Sequence, residues 1–216
     1  MQANNRSNKQ TTSPARTFTE SARRAQIVEV AIKVAASAGY ANISFARIAK
    51  LAGLSSTGII SYNFDGKDDL IREVVSQILK VAEAYVTPRL AAASGARATL
   101  RAYIEARMAF LADYPDHLPA LVEIISNLPR EAPDRGRLLA QTETWQGVHA
   151  DFVRQAQATG AFRAFDPAAM AFALNGALDA VVTRKMREPD LDVIALGREL
   201  ADLFDHAVRP VEEPRP

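Results

Sequence analysis

The 216-residue chain is 48% hydrophobic with a formal net charge of +1, so it is long enough for one or two packed domains and is not composed like a disordered chain. It has no cysteine, which excludes disulfides, cysteine-based zinc sites and thiol catalysis. Its charge is unevenly placed: residues 1–80 carry 11 Lys and Arg against 6 Asp and Glu, and residues 81–216 carry 15 against 19, so a polyanion would be drawn to the N-terminal end.

Residues 1–18 are polar, with Arg6, Lys9 and Arg16 and no acidic residue before Glu20. So few apolar groups cannot offset the entropy of ordering, and the segment is expected to be a basic tail that lies along phosphates, dips into a minor groove, or serves only as a solubilising extension. The stripe Ile27, Val30, Ala31, Val34 and Ala35 predicts a first helix running to Gly39. Ser44 is placed to cap a second helix whose Ile48, Leu51 and Ala52 share one face, and Gly53 follows where the chain must turn at positive φ. Ser55 and Ser56 are expected to cap a short third helix. Its Ile59, Ile60 and Tyr62 would anchor it against the second, leaving Ser56, Thr57, Ser61 and Asn63 to face outward. Two helices joined by a tight turn in this way form a helix-turn-helix, in which the second helix enters the major groove of DNA.

The motif continues into Tyr62-Asn63-Phe64-Asp65-Gly66-Lys67-Asp68-Asp69-Leu70. With this tail, residues 20–75 resemble the N-terminal domain of the TetR family of transcriptional regulators, whose members typically read IA..AG.S.G..Y.HF..K..L. The likeness falls on Ile48, Ala49, Ala52, Gly53, Ser55, Gly58, Tyr62, Phe64, Lys67 and Leu70. Between the Ala-Gly of the turn and the closing Phe64 there is one residue more than the common spacing. Counted back from Phe64, Asn63 takes the usual His position and Ser61 one that is often Tyr; counted forward from Gly53, Tyr62 lies one step past the customary Tyr. The candidate DNA-contacting residues are Ser56, Thr57, Gly58, Ser61 and Asn63 toward the groove, Ser44, Tyr62 and Lys67 toward phosphates, and Ser55 beside them.

Beyond Lys67 the pattern is helical and punctuated by Pro and Gly. A fourth helix is predicted from Lys67 toward Val86, with Asp68 and Asp69 in its first turn, where carboxylates suit the macrodipole, and Pro88 as its end. A fifth spans about 95–113, with Leu100, Tyr103, Ile104, Met108 and Leu111 on one stripe before Pro115, and a shorter one spans 116–127. A further helix covers about 134–159 and stops at Gly160. Asp166-Pro167 opens the next, which reaches Arg187, and the last follows Pro189-Asp190 and reaches Val208. No strand pattern of useful length is present, so the fold class is all-α. The domains expected are a tail at 1–18, a helix-turn-helix domain at 19–66, a helical effector-binding and dimerisation domain at 67–208, and a C-terminal tail at 209–216.

The last two long helices are apolar over a wide arc. In the first of them Met170, Leu174, Ala177, Leu178 and Val181 form a stripe from which Ala171, Phe172 and Val182 depart. In the second, Ile194, Leu200, Ala201, Leu203, Phe204, Ala207 and Val208 cover more than one face. Such helices need burial on two sides. The resemblance implies the same, because TetR-like proteins dimerise through a four-helix bundle of these helices. It also implies a pocket for a small-molecule effector. Leu138, Thr142, Trp145, His149 and Phe152 share one helical face, and with Tyr103 and Phe110 they are the candidate lining, although an aromatic stripe at this spacing is also what an ordinary core presents. Asn175 and Asp179 are candidate orienting groups that would equally suit an exposed or intersubunit position.

Enzymatic readings find little support. His117, His149 and His206 are far apart, no HExxH spacing occurs, and neither a phosphate loop nor a G-x-S-x-G elbow is present. No apolar run approaches the roughly 18 residues of a membrane span. The chain is thus expected to be a cytoplasmic, non-enzymatic transcriptional regulator without cofactor or metal. It would bind a near-palindromic double-stranded DNA operator as a homodimer, alone or as a pair of dimers, and be released by a small-molecule effector. Repression is expected over activation, because a dimer on an operator blocks polymerase unaided. A constitutive DNA binder without effector, and a helical sensor or carrier that does not bind DNA, are the alternatives.

Overall fold

The computed structural model describes residues 18–132 and 135–210, with side chains at all of these except 18 and 141–147. The basic residues Arg6, Lys9 and Arg16, the final segment 211–216 and the side chains of Thr142 and Trp145 lie outside the described residues. The elements are α1 (Phe18–Ala38), a 3-10 turn (Tyr40–Asn42), α2 (Phe45–Leu51), α3 (Gly58–Asn63), α4 (Lys67–Ala91), α5 (Ala96–Asp113), α6 (His117–Asn127), α7 (Arg135–Ala158), α8 (Pro167–Arg187) and α9 (Val193–Val208), with no strand among the described residues. The all-α architecture is as expected.

Two apolar cores organise these helices. The first gathers Ile27, Ala31 and Ile32 of α1, Ile48 of α2, Ile60 of α3 and Leu70, Val74 and Ile78 of α4, and it extends to Ala120 and Ile124 of α6. The second joins Val86 of α4 to Ile104, Met108 and Phe110 of α5, Val153 of α7, Leu178 of α8 and Ala201 of α9. Helix α4 therefore belongs to both cores, and α6 lies directly on α1.

Local chemistry matches several start and stop signals. The Ser44 hydroxyl accepts from Arg47 N–H, Asp166 caps α8 ahead of Pro167, and Asp192 accepts from Ile194 and Ala195 at the start of α9. Gly53 adopts φ 64°, the left-handed conformation that its place in the turn required.

Other expectations are corrected. Helix α4 does not end before Pro88 but continues to Ala91, with Ala92 N–H donating to Pro88 C=O at 3.2 Å. The carbonyl that Pro88 cannot satisfy belongs to Ala84, and both residues are exposed, so the missing bond is not buried in the core, while buried Val86 and half-buried Leu90 hold the helix to it. Leu51 is 60% exposed, and α2 buries Ile48 and Ala49 instead. Ser55 and Ser56 do not cap α3; that helix opens at Gly58 behind Thr57, with no side-chain cap.

The tightest helix pair is α5 with α9. A Cβ added at Gly197 would lie 2.6 Å from Met108 Cγ and 2.8 Å from Met108 Cβ, so only glycine permits this approach. The seam is reinforced by Arg97, whose Nε and Nη2 each donate to a different Asp205 oxygen at 2.7 Å, by Arg209 on the same carboxylate, and by Arg101 with Asp202. The bonds from Arg97 and Arg209 hold the Asp205 carboxyl far below the usual carboxylate range. Because its folded pKa is depressed, its stabilisation is complete above the unfolded-chain value of about 4 and drains as pH falls below it. Unfolding free energy measured by urea titration is expected to fall below about pH 4, and Asp205→Asn to flatten that acid limb. An unchanged limb would mean that other carboxylates govern it.

Candidate nucleic-acid interface and ligand cavity

The helix-turn-helix is fixed from behind. Arg24 of α1 stacks its guanidinium 4.0 Å above the Phe64 ring, donates to Asn63 C=O and pairs with Glu73 of α4 at 2.7 Å. These contacts set the end of α3, and buried Ile60 and Phe64, joined by Phe64 N–H to Ile60 C=O at 2.9 Å, set its register. Helix α3 is thus anchored from its Phe64 end, and the residues between Gly53 and Gly58 form the turn ahead of it.

This arrangement leaves one polar face. Ser44, Ser55, Ser56, Thr57, Gly58, Ser61 and Tyr62 are all exposed. Tyr62 is 76% exposed, which corrects its expected role as an anchor against α2, and its hydroxyl donates to Glu20 at 3.1 Å. Asn63 was expected to face outward but is half-buried. Its amide donates to Ile59 C=O at 2.8 Å, so it is spent within α3. Lys67 is turned inward: its ammonium donates to Tyr40 C=O at 3.1 Å and lies 4.2 Å from the Tyr40 ring centre, and burial lowers its pKa. A phosphate contact from Lys67 would require it to release Tyr40. Two exposed cations absent from the sequence-based set, Arg47 and Lys50, flank this face on α2. The signal for them was available, since an α2 that buries Ile48 and Ala49 must turn both outward.

A second feature lies in the C-terminal half. A cavity of about 450 Å³ opens between α4, α5, α6 and α8, walled by Ile78, Leu79, Ala82 and Val86, by Leu118, Leu121, Val122 and Ile125, and by Tyr103, with Arg107, Ser126, Asn175 and Asp179 as its polar groups. A smaller apolar cavity of about 160 Å³ shares Val86 and Tyr103 and adds His149, Phe152, Phe162, Met170 and Leu174. The main volume falls in the range of small-molecule sites. Of the candidate lining residues, Tyr103 borders both cavities, His149 and Phe152 border the smaller, and Asn175 borders the larger. Phe110 borders neither. It is fully buried against Tyr85, Tyr114 and His117 instead, where these rings enclose it. Burial first, and the neighbouring Arg107 charge second, lower the His149 pKa to about 4, so the imidazole is neutral at physiological pH; Asn175 Nδ2 lies 3.2 Å from its Nδ1.

The two features are physically linked. Glu123 of α6, on the helix that supplies Leu121, Val122 and Ile125 to the cavity wall, accepts a hydrogen bond from Tyr40 N–H at 3.0 Å. One peptide corner is thus held through its N–H by α6 and, on the Tyr40 carbonyl, by Lys67 of α4. Gly39 permits the contact: it sits at φ 85°, and a Cβ there would lie 2.9 Å from Glu123 Oε1.

A family model described as bacterial regulatory proteins, tetR family, matches residues 27–74, and one described as a Tetracyclin repressor-like C-terminal domain matches residues 93–183. The chain belongs to the TetR family. Its N-terminal match covers α2, α3 and the turn between them, and its C-terminal match covers the walls contributed by α5, α6 and α8. The TetR family comprises regulatory proteins rather than enzymes. Among curated relatives, the HTH-type transcriptional regulator BetI of Burkholderia mallei is 39% identical over 85 residues, 39% of this chain and 43% of the relative. BetI 1 of Chromohalobacter salexigens is 37% identical over 84 residues, 38% of this chain and 41% of the relative. The chain thus matches less than half the length of these relatives. Among solved structures, the regulator FadR from Bacillus subtilis in complex with stearoyl-CoA superposes with a TM-score of 0.71 at 19% identity, over 86% of this chain and 99% of that one. AibR in complex with isovaleryl coenzyme A and operator DNA gives 0.70 at 19% identity, over 87% and 98%. At these identities the likeness is one of fold.

Among the described residues no helix is long and apolar enough to cross a membrane, and no group of three metal-ligating side chains occurs.

Proposed function

We propose that this TetR-family chain is a cytoplasmic DNA-binding transcriptional repressor that occupies a near-palindromic operator as a homodimer and leaves it when a small molecule fills the cavity between α4, α5, α6 and α8. The observation that carries the reading is the hydrogen bond that Tyr40 N–H donates to Glu123, because it ties a wall of the cavity to the frame of the helix-turn-helix. A ligand shifts such a system only if it binds one arrangement of the two parts better than the other. Displacing α6 to admit the ligand would pull on the corner that positions α2 and α3. The AibR structure, solved with both a coenzyme A thioester and operator DNA, supports the combination of the two sites on this fold.

The groove-facing set proposed is Ser55, Ser56, Thr57, Gly58 and Ser61, with Ser44, Tyr62, Arg47 and Lys50 toward phosphates. Asn63 and Lys67 are assigned to bracing the reader. Dimerisation is proposed through α8 and α9. On α8, Ala169, Phe172, Ala173, Gly176 and Ala180 form an exposed, small-residue face at helical spacing, with Phe172 76% exposed, and α9 presents Leu203, 65% exposed. Two readers on a dimer can enter successive major grooves about 34–36 Å apart, or a multiple of that distance.

Selection of bound duplexes from a random pool, with the complex sized by mass, tests the reading. A two-fold symmetric motif bound by a dimer or a pair of dimers is the expected result. Recovery of no motif, with binding that vanishes at modest salt, would overturn it.

A further inference from the structure

Resting on that reading of the cavity, we infer that the ligand is an apolar carboxylic acid whose carboxylate is bound by Arg107. The guanidinium is the only cation lining the main cavity among the described residues. It lies on α5 with its side chain only 20% exposed. Its compensation is poor: Nη2 reaches Asp179 Oδ1 at 3.4 Å, Nη1 reaches the Tyr103 hydroxyl at 3.3 Å, and the buried Nε has no acceptor among the described residues. A largely desolvated arginine normally has short, charge-assisted bonds. Here the one anionic partner is 61% exposed and at the edge of bonding distance.

The remaining polar groups do not supply what is missing. Asn175 donates to Ala171 C=O at 2.8 Å and faces neutral His149, and Ser126 carries no charge. The rest of the cavity lining is largely hydrocarbon, from Leu79 and Val86 on α4 to Leu118, Leu121 and Val122 on α6. An incoming carboxylate accepts from two N–H groups of Arg107 in place of Asp179, whose bond is already at the edge of hydrogen-bonding distance, and an apolar body fills the space along α4 and α6. A phosphate or other dianion fits poorly, because one guanidinium is the sole counter-charge. An uncharged ligand of the same shape leaves Arg107 as poorly compensated as before.

Calorimetric titration of the full chain with matched pairs, octanoate against octan-1-ol and 4-phenylbutyrate against 4-phenylbutan-1-ol, tests this. At least one acid is expected to bind about 10- to 100-fold more tightly than its alcohol, the range spanned by hydrogen bonds to charged groups. Arg107→Met should abolish that preference while leaving alcohol binding in place, and Arg107→Lys should restore part of it. Because the acid-to-alcohol contrast is read in the unmodified protein, the test stands even if a variant fails to fold. Acid and alcohol binding equally would overturn the carboxylate assignment and leave the cavity as an effector site. No binding of any of the four would overturn the cavity reading and this assignment together.

Discussion

Truncating Phe110 to alanine is expected to lower the unfolding free energy by about 3–5 kcal/mol, the usual cost of emptying a buried aromatic site. The ring is fully buried, 4.9 Å from the Tyr114 ring, 5.5 Å from Tyr85 and 5.9 Å from His117. Its neighbours cannot close over the gap, because Tyr85 is held by its hydroxyl to Asp113 at 2.5 Å and by Arg89 stacked 3.6 Å from its ring centre. Against a total stability of about 5–15 kcal/mol, the loss is a large fraction. A urea titration should show a lower midpoint with an unchanged slope. A loss below about 1 kcal/mol would mean that the site is loosely packed and closer to a pocket wall than to core.

Phe172→Glu is expected to yield a folded monomer whose operator affinity falls by about 10²- to 10⁴-fold, the range over which linking two binding sites raises avidity. In the protomer this side chain is 76% exposed, so the substitution leaves the fold intact. In a dimer built on the Ala169, Ala173, Gly176 and Ala180 face it would place an unpaired carboxylate where two helices meet, and burying such a charge is costly. Sedimentation gives the mass and a duplex titration gives the affinity. A variant that stays dimeric would move the interface away from this face of α8.

The sequence made the framework legible because its signals were local. Asp166-Pro167, Ser44 and Gly53 act on their own backbone or the adjacent turn, and each does what its chemistry predicts. The rest was less legible because packing and side-chain partners in the folded chain decide it, whether near in sequence or far. Pro88 reads as a stop, yet the buried Val86 carries the helix across it. Asn63 and Lys67 read as DNA contacts, yet each has partners inside the reader, Ile59 and Tyr40. The same holds for the cavity. His149, Phe152 and Asn175 were found by helical spacing, whereas Arg107, one turn from Tyr103 on the same helix, was missed because its burial depends on α6 and α8 rather than on its own neighbours in the chain.

Gly197 has a mechanical consequence. By letting α9 sink against Met108, and with arginine–aspartate pairs fastening the same seam, it makes α5 and α9 one stiff block. That block carries two things at once: the proposed partner-facing Leu203 and, through Tyr103 and Arg107, one wall of the cavity. The opposite wall belongs to α4 and α6, which hold Tyr40 between them. In the proposed dimer, a molecule entering the cleft would press as a wedge between the α5–α9 block and the wall that holds Tyr40, and the proposed release would follow as the spacing of the two readers changed.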